Sequence, residues 1–203
     1  TANSGKGQVI DAAMTDGSAL LMNAVFGIMN TGRWNPARGT NLLDGGAHFY
    51  GTYETSDGRW VSVGSIEPQF YALLLEKTGL AGDNSLPKQM SRDDWPMLKA
   101  KLTEIFRTKS RDEWDEIMLG TDICYAPVLT FEEAVEHEHN SVRDTFVEQD
   151  GIKQAAPAPR FSRTPPDLPA TAVAPGAHTD EVLGSMGISQ DDISRLRESG
   201  AVA

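Results

Sequence analysis

Apolar residues in the first thirty positions recur at the spacing of a helix that has neighbours on several sides. The positions that fit a period of 3.6 residues are Ala13, Leu20, Leu21, Ala24, Val25 and Ile28. A helix that is apolar around most of its girth has to be covered by other elements. The pattern therefore predicts one long helix reaching about Asn30, although Gly17 and Gly27 weaken it. A linker or ordered loop is predicted over residues 38–46, which hold three glycines and no periodic pattern.

Two runs of aromatic and β-branched residues in the middle of the chain predict a β-hairpin. They cover residues 49–55 and 60–63, and Asp57 and Gly58 lie between them. An Asp-Gly pair readily adopts the positive φ angles that a tight hairpin turn needs. A proline then opens an amphipathic pattern, which predicts a helix over residues 68–78.

Hydroxyl and carboxylate residues three positions apart mark the starts of three further helices. The pairs are Ser91 and Asp94, Ser110 and Glu113, and Thr130 and Glu133. In the last two pairs each side chain can bond an unpaired backbone N–H, as in a capping box. Pro127 interrupts the short apolar run between these two pairs and indicates an extended connection or an edge strand.

The chain becomes rich in proline and alanine from about Asp150 onward. Residues 154–159 and 164–166 are typical of extended, polyproline-like segments, which predicts a strap rather than a core element. Two short helices are predicted after it, over residues 179–186 and, behind a Ser189 cap, over residues 193–196.

Charge and cysteine content narrow the class of partners. The 203 residues include 18 Lys+Arg and 29 Asp+Glu, which gives a formal net charge of −11. Such a surface disfavours nucleic acid and anionic membranes as partners, and no apolar stretch reaches the length of a membrane span. A single cysteine excludes an internal disulfide framework and favours a reducing, cytoplasmic compartment.

Nucleophile and metal motifs are weak along the whole chain. His137 and His139 are two positions apart, which places them on different sides of a helix and favours a solvated helix end over a metal site. Cys124 lies in an apolar run without cationic neighbours, so we expect a small core residue rather than a reactive thiolate. His48 is expected to be a packing or capping residue.

Glu67 stands at the junction between the second hairpin strand and a helix that begins with proline. One interpretation is an ordinary first-turn glutamate that complements the helix dipole. The other is a carboxylate that projects from the sheet edge into a cleft, where it accepts a hydrogen bond from a partner surface. The local pattern alone leaves both interpretations open.

Several motifs in chain order resemble those of the family III CoA-transferases (CaiB/BaiF-like), and within them the α-methylacyl-CoA racemase branch. They are GKGQVIDAAM at 5–14, RGTNLLDGG at 38–46, VGSIEPQFY at 63–71, DICYAPVL at 122–129, PAPRFS at 157–162 and GAHT at 176–179. The resemblance extends over essentially the whole chain, and the IEPQF stretch is more like the racemases than the transferase branches.

The resemblance implies an α/β fold with an α+β small domain, within a dimer of interlocked chains. It assigns residues 1–48 to the end of a large domain, a crossing helix and a linker. Residues 49–142 form the small domain, and residues 143–203 form the return strap and the last helices. It also implies that the family's catalytic histidine and aspartate belong to a CoA-binding half upstream of this sequence.

Site residues carry over from the family position by position. The glutamate matching Glu67 hydrogen-bonds the catalytic histidine across the dimer interface, in a supporting role. The positions expected to line the acyl side of the cleft are Met14, Leu43, Tyr50 and Ile66. His48 departs from the proline expected there, which puts the identity of the acyl chain in doubt.

The implied reaction is epimerisation at C2 of a 2-methylacyl-CoA thioester, through α-proton removal and reprotonation of an enolate. No cofactor or metal is expected, because coenzyme A is part of the substrate, and the chain alone is expected to be inactive. Two alternatives stay open: CoA transfer through an acyl-aspartyl anhydride, and a non-catalytic fragment or assembly module. We expect a homodimer in either enzymatic case.

Overall fold

A computed structural model describes residues 5–168 and 170–202 of the chain. These residues form two compact units, divided in the chain between Leu129 and Thr130. Each unit is described by itself.

The first unit begins with two consecutive helices, α1 (Met14–Leu21) and α2 (Asn23–Asn30). The long predicted helix is therefore interrupted at Met22, where ψ is 0° and the backbone leaves regular α geometry. Its start agrees with the apolar pattern, because Ala13, the first periodic position, is the N-cap residue of α1. Neither helix contains a buried residue. The described residues of this unit therefore do not supply the neighbouring elements that the apolar pattern predicts around this helix.

A three-stranded antiparallel sheet confirms the predicted hairpin. It contains β1 (Tyr50–Glu54), β2 (Trp60–Gly64) and β3 (Tyr125–Val128), in the order β1-β2-β3. At the hairpin turn Gly58 takes a φ of +74°, which an L side chain rarely adopts. The segment with Pro127 is the edge strand β3, one of its two predicted forms, because proline cannot donate to a second neighbour.

Helices pack on one face of this sheet. They are α3 (Pro68–Lys77), a 3₁₀ turn (Arg92–Asp94) that runs into α4 (Trp95–Phe106), and α5 (Arg111–Met118). The predicted capping box at the start of α5 is present: the Ser110 hydroxyl accepts from the Glu113 amide, and the Glu113 carboxylate accepts from the Ser110 amide. This satisfies two backbone donors that the helix itself cannot pair.

Large apolar side chains from the sheet and the helices form one core. Its fully buried members include Phe49, Tyr53, Val61, Leu74, Leu102, Phe106, Trp114, Met118 and Ile123. Tyr53 and Phe106 stack with ring centroids 4.9 Å apart, and Trp114 meets Phe106 edge-on at 5.1 Å. This packing holds the three strands and fixes where each strand ends.

The second unit contains α6 (Phe131–Glu136), α7 (Glu138–Val142), β4 (Phe146–Gln149), β5 (Ile152–Ala155), α8 (Thr179–Ser185) and α9 (Gln190–Glu198). The capping box at Thr130 is confirmed. The hairpin of β4 and β5 is absent from the sequence prediction, although Asp150 and Gly151 carry the same turn signal as Asp57 and Gly58. Throughout residues 5–168 and 170–202, every helix is too short or too polar to cross a bilayer.

Candidate functional site

One end of the three-stranded sheet brings together three of the predicted site residues. Tyr50 opens β1 and pairs with Gly64, the last residue of β2, and the chain then continues through Ile66 to Glu67. The Tyr50 ring lies 3.7 Å from the point that a Cβ on Gly64 would occupy, so the ring of Tyr50 lies against the end of β2. Tyr50, Ile66 and Glu67 therefore lie at one end of the sheet, because the hairpin register places them there.

Glu67 is the N-cap residue of α3, with extended backbone angles of −71° and 142°. Its side chain is exposed and makes no capping hydrogen bond with the helix. Its carbonyl oxygen accepts the first bond of the helix, from the Tyr71 amide at 2.9 Å. The carboxylate is consequently presented to the outside from a helix terminus, while its backbone is part of the helix.

Hydrogen bonds fix the two residues before Glu67. The Ser65 amide donates to the Phe49 carbonyl at 2.9 Å, and the Ser65 hydroxyl donates to the Ile123 carbonyl at 2.5 Å. The Gln89 side-chain amide donates to the carbonyls of Ser65 and Ile66 at 3.0 and 2.9 Å. Because these bonds hold Ser65 and Ile66, the backbone of Glu67, which follows them, has little freedom to move.

His48 is buried beside this segment, with 1% of its surface exposed. Its Nε2 lies 2.9 Å from the Tyr71 hydroxyl, and its carbonyl accepts from the Tyr53 hydroxyl. Burial lowers the pKa of His48 to about 4, so the imidazole is neutral at physiological pH. The expected packing role of His48 is confirmed, and its ring contacts Phe49 and Tyr71.

The loop before β1 is built around Asn41 and Asp44. The Asp44 carboxylate accepts from the Asn41 backbone and side-chain amides at 2.6 and 2.8 Å. Burial alone would raise the pKa of Asp44, but hydrogen bonds from Asn41, Gly46 and Gly39 together lower it below its usual value. The Arg92 guanidinium donates to Asn41 Oδ1 at 2.8 Å and so ties the loop to the start of α4.

Leu43 projects from this loop into a separate, mainly apolar groove of about 510 Å³. Its lining residues are Ile28, Arg33, Trp34, Asn41, Leu42, Leu43, Met90, Arg92 and Trp95. Tyr50, Ile66 and Glu67 are not among them. Met14, the first residue of α1, is 89% exposed and does not line this groove either.

The structure bears on the expected burial of Cys124 and on the search for metal-binding groups. Cys124 is exposed, and the expectation of a core residue is wrong. Its backbone takes the left-handed φ of +61° just before β3, and its carbonyl accepts from the Gly64 amide at 2.9 Å. Among residues 5–168 and 170–202, no three His, Cys, Asp or Glu side chains are grouped in a way that could hold a metal ion.

Sequence reasoning did not identify Tyr71 and Gln89 as residues that support the site. Tyr71 ends the motif that contains Glu67 but was given no role there, and Gln89 lies 22 positions beyond Glu67 along the chain. The one available signal was at Tyr71, which stands four residues after Glu67 and so occupies the same helix face. The contact with His48 depends on tertiary packing and leaves no periodic pattern.

The sequence of this chain is similar to those of known proteins. Residues 1–179 match the model of the family described as CoA-transferase family III. The chain is 47% identical to the α-methylacyl-CoA racemase of Mus musculus over 202 residues, which is 98% of this chain and 52% of that protein. It is also 47% identical to the Homo sapiens α-methylacyl-CoA racemase over 197 residues, 95% of this chain and 50% of that protein.

A solved structure of a CAIB/BAIF family protein from Brucella suis superposes with a TM-score of 0.68 at 21% identity. The alignment covers 91% of this chain and 50% of that one. At this identity the likeness supports the fold alone. The chain spans about half the length of the curated relatives that it matches. The family match over most of the sequence identifies the chain as a member of the CoA-transferase family III.

Proposed function

We propose that this chain is part of an acyl-CoA racemase that inverts the configuration at C2 of 2-methylacyl-CoA thioesters. The observation that carries the proposal is the 47% identity with two α-methylacyl-CoA racemases across 95–98% of the chain. Family membership alone is compatible with either racemisation or CoA transfer. The identity with the racemases favours the former.

Racemisation needs a base that removes the α-proton, donors that stabilise the thioester enolate, and an acid on the opposite face. In this proposal a histidine and an aspartate outside this sequence act as base and acid. Glu67 takes a supporting role: its carboxylate accepts a hydrogen bond from that histidine across a homodimer interface. An exposed carboxylate on a fixed backbone, free of capping bonds, suits such a role.

The acyl group of the substrate would lie against Tyr50 and Ile66 at the same end of the sheet as Glu67. Leu43 and Met14 would join them only if a partner surface completes the cleft, because they lie elsewhere in this chain. Coenzyme A enters as part of the substrate, and no separate cofactor or metal takes part. We place the reaction in acyl-CoA and lipid metabolism, in a reducing compartment such as the cytoplasm.

The test uses a longer enzyme that contains this chain together with the upstream half. We expect Glu67→Gln to slow exchange of the substrate α-proton with deuterated solvent by roughly ten- to a hundredfold. Glu76→Gln is the matched control, because Glu76 is an exposed glutamate on the same helix whose carboxylate pairs with Lys77. Its rate should equal that of the unmodified enzyme.

Two results would contradict the proposal. If Glu67→Gln exchanges the α-proton as fast as the unmodified enzyme, Glu67 has no supporting role. If the longer enzyme moves CoA to an acceptor acid without any α-proton exchange, the reaction is transfer rather than racemisation. The present 203 residues alone are expected to give no exchange with the same substrate.

A further inference from the structure

His48 and its neighbour Phe49 bond the chain on both sides of Glu67. On the N-terminal side, the Phe49 carbonyl accepts from the Ser65 amide, two residues before Glu67. On the C-terminal side, His48 Nε2 pairs with the hydroxyl of Tyr71, four residues after Glu67. The Tyr71 amide in turn donates to the Glu67 carbonyl at 2.9 Å. The exposed carboxylate therefore stands on a backbone held at both ends by one buried dipeptide.

The buried dipeptide of His48 and Phe49 is itself held firmly in the core. His48 is 1% exposed and Phe49 is fully buried, and the rings of Phe49 and Trp95 meet edge-on at 5.9 Å. The Tyr53 hydroxyl of β1 donates to the His48 carbonyl, so the dipeptide is fixed to the sheet as well as to α3. Aromatic packing and buried hydrogen bonds of this kind restrict movement of the groups that they connect.

We propose that His48 is a positioning residue, which through Tyr71 holds the first turn of α3, and with it the Glu67 carboxylate, in place for the reaction. The inference rests on the proposed function of Glu67. It adds that the buried side-chain contact between His48 and Tyr71 controls how well Glu67 is oriented.

Tyr71→Phe is the direct test, because it removes the hydroxyl that bonds His48 and keeps the ring in the core. In the 203-residue chain, hydrogen exchange at the Tyr71 amide should become roughly five- to tenfold faster. The Trp114 amide, which donates to Ser110 in the first turn of α5, is the internal reference and should be unchanged. His48→Phe removes the same bond from its other end, so the two substitutions should not add.

Tyr125→Phe is the matched control for loss of a phenol hydroxyl. Tyr125 is half-buried beside the same core, and its hydroxyl donates to Asp115 of α5 at 2.7 Å rather than to α3. Tyr125→Phe should lower the free energy of unfolding of the chain but leave the rate of hydrogen exchange at the Tyr71 amide unchanged. Equal exchange at that amide in the Tyr71→Phe and unmodified chains would overturn the inference, whatever the activity.

Activity of the longer enzyme separates this inference from the proposed function. We expect Tyr71→Phe to lower kcat roughly tenfold with KM unchanged, and to have no further effect when Glu67→Gln is already present. If Tyr71→Phe slows the Glu67→Gln enzyme as much as the unmodified one, Tyr71 acts through overall stability and the inference fails. If Glu67→Gln is itself fully active, the supporting role proposed for Glu67 fails, and the amide exchange still decides whether His48 holds this turn.

Discussion

His48 and Glu67 show how the surroundings of a residue decide what it can do. His48 has the chemistry of a base, yet burial next to Tyr71 keeps it neutral and makes it a fixed support. Glu67 is a common helix-start residue, yet its side chain makes no bond with the helix and is presented to the outside. The local sequence pattern favoured packing or capping for His48, whereas for Glu67 it left both interpretations open.

Stability should depend on pH through His48. Its pKa of about 4 in the folded chain lies below the ordinary value of 6.5, so between these values the unfolded chain binds a proton that the folded chain does not. The free energy of unfolding should therefore be highest above about pH 6.5 and fall by about 3 kcal/mol as the pH approaches about 4. Tyr71, whose hydroxyl pairs with the imidazole, and Tyr53, whose hydroxyl donates to the His48 carbonyl, both stay protonated in this range.

Urea unfolding at about pH 7 and about pH 4.5 measures this dependence. The His48→Phe chain should lose less stability between the two conditions than the unmodified chain, because it has no such proton to exclude. An identical loss in both chains would show that His48 is not the group responsible.

Gly46 should tolerate no side chain. A Cβ there would lie 2.6 Å from the Thr40 carbonyl carbon and 2.7 Å from the Asn41 amide nitrogen, and both are backbone atoms that cannot rotate away. We expect Gly46→Ala to cost about 1–3 kcal/mol in the free energy of unfolding. Gly17→Ala, in the open surroundings of α1, is the control and should not destabilise. If Gly46→Ala and Gly17→Ala have the same free energy of unfolding, the prediction is wrong, because the backbone of the loop over residues 38–46 then shifts at little cost to accept the Cβ.

At the scale of elements, the best predicted features are those with local causes. The hairpin turn follows from Asp57 and Gly58, and the start of α5 follows from Ser110 and Glu113, whose side chains bond the backbone of the same few residues. Such features persist in the fold because nothing distant is needed to form them. The interrupted first helix is the opposite case, because the apolar period does not register the break at Met22.

The capping box of α5 gives a prediction at this scale. Ser110→Ala removes the acceptor for the Glu113 amide and should lower the free energy of unfolding by about 1 kcal/mol. Ser110→Asp keeps an acceptor at the same place and should be close to neutral. Tryptophan fluorescence during urea unfolding measures this free energy, since Trp95 on α4 and Trp114 on α5 are both buried in the core. If Ser110→Asp lowers the free energy of unfolding as much as Ser110→Ala does, Ser110 has no capping role.

At the scale of the molecule, large apolar side chains are exposed along the first thirty residues. They include Val9, Ile10, Met14, Leu20, Leu21, Met22, Phe26, Ile28 and Met29, with exposures from 37% to 96%. Contiguous apolar surface of this kind marks an interaction site. The proposed homodimer would cover it.

Association of the chain should therefore depend on concentration. In sedimentation velocity we expect a dimer or larger species at high concentration, and Leu20→Gln with Leu21→Gln should shift it towards monomer. Because Leu20 and Leu21 are 74% and 87% exposed, the free energy of unfolding of the monomer should change little. A monomer at every concentration for the unmodified chain would contradict the prediction.

The sequence by itself determined the hairpin, the capping boxes at Ser110 and Thr130 and, through ordered motifs, the family. These depend on residues close together in the chain, or on patterns that relatives share, and both are visible without a structure. Only the tertiary structure decided that Tyr50, Ile66 and Glu67 share one end of the sheet while Leu43 lies in a separate groove, because strand register and loop path are set by packing. The same packing buried His48 against Tyr71 and left Cys124 exposed, since burial follows from which distant side chains meet in the core.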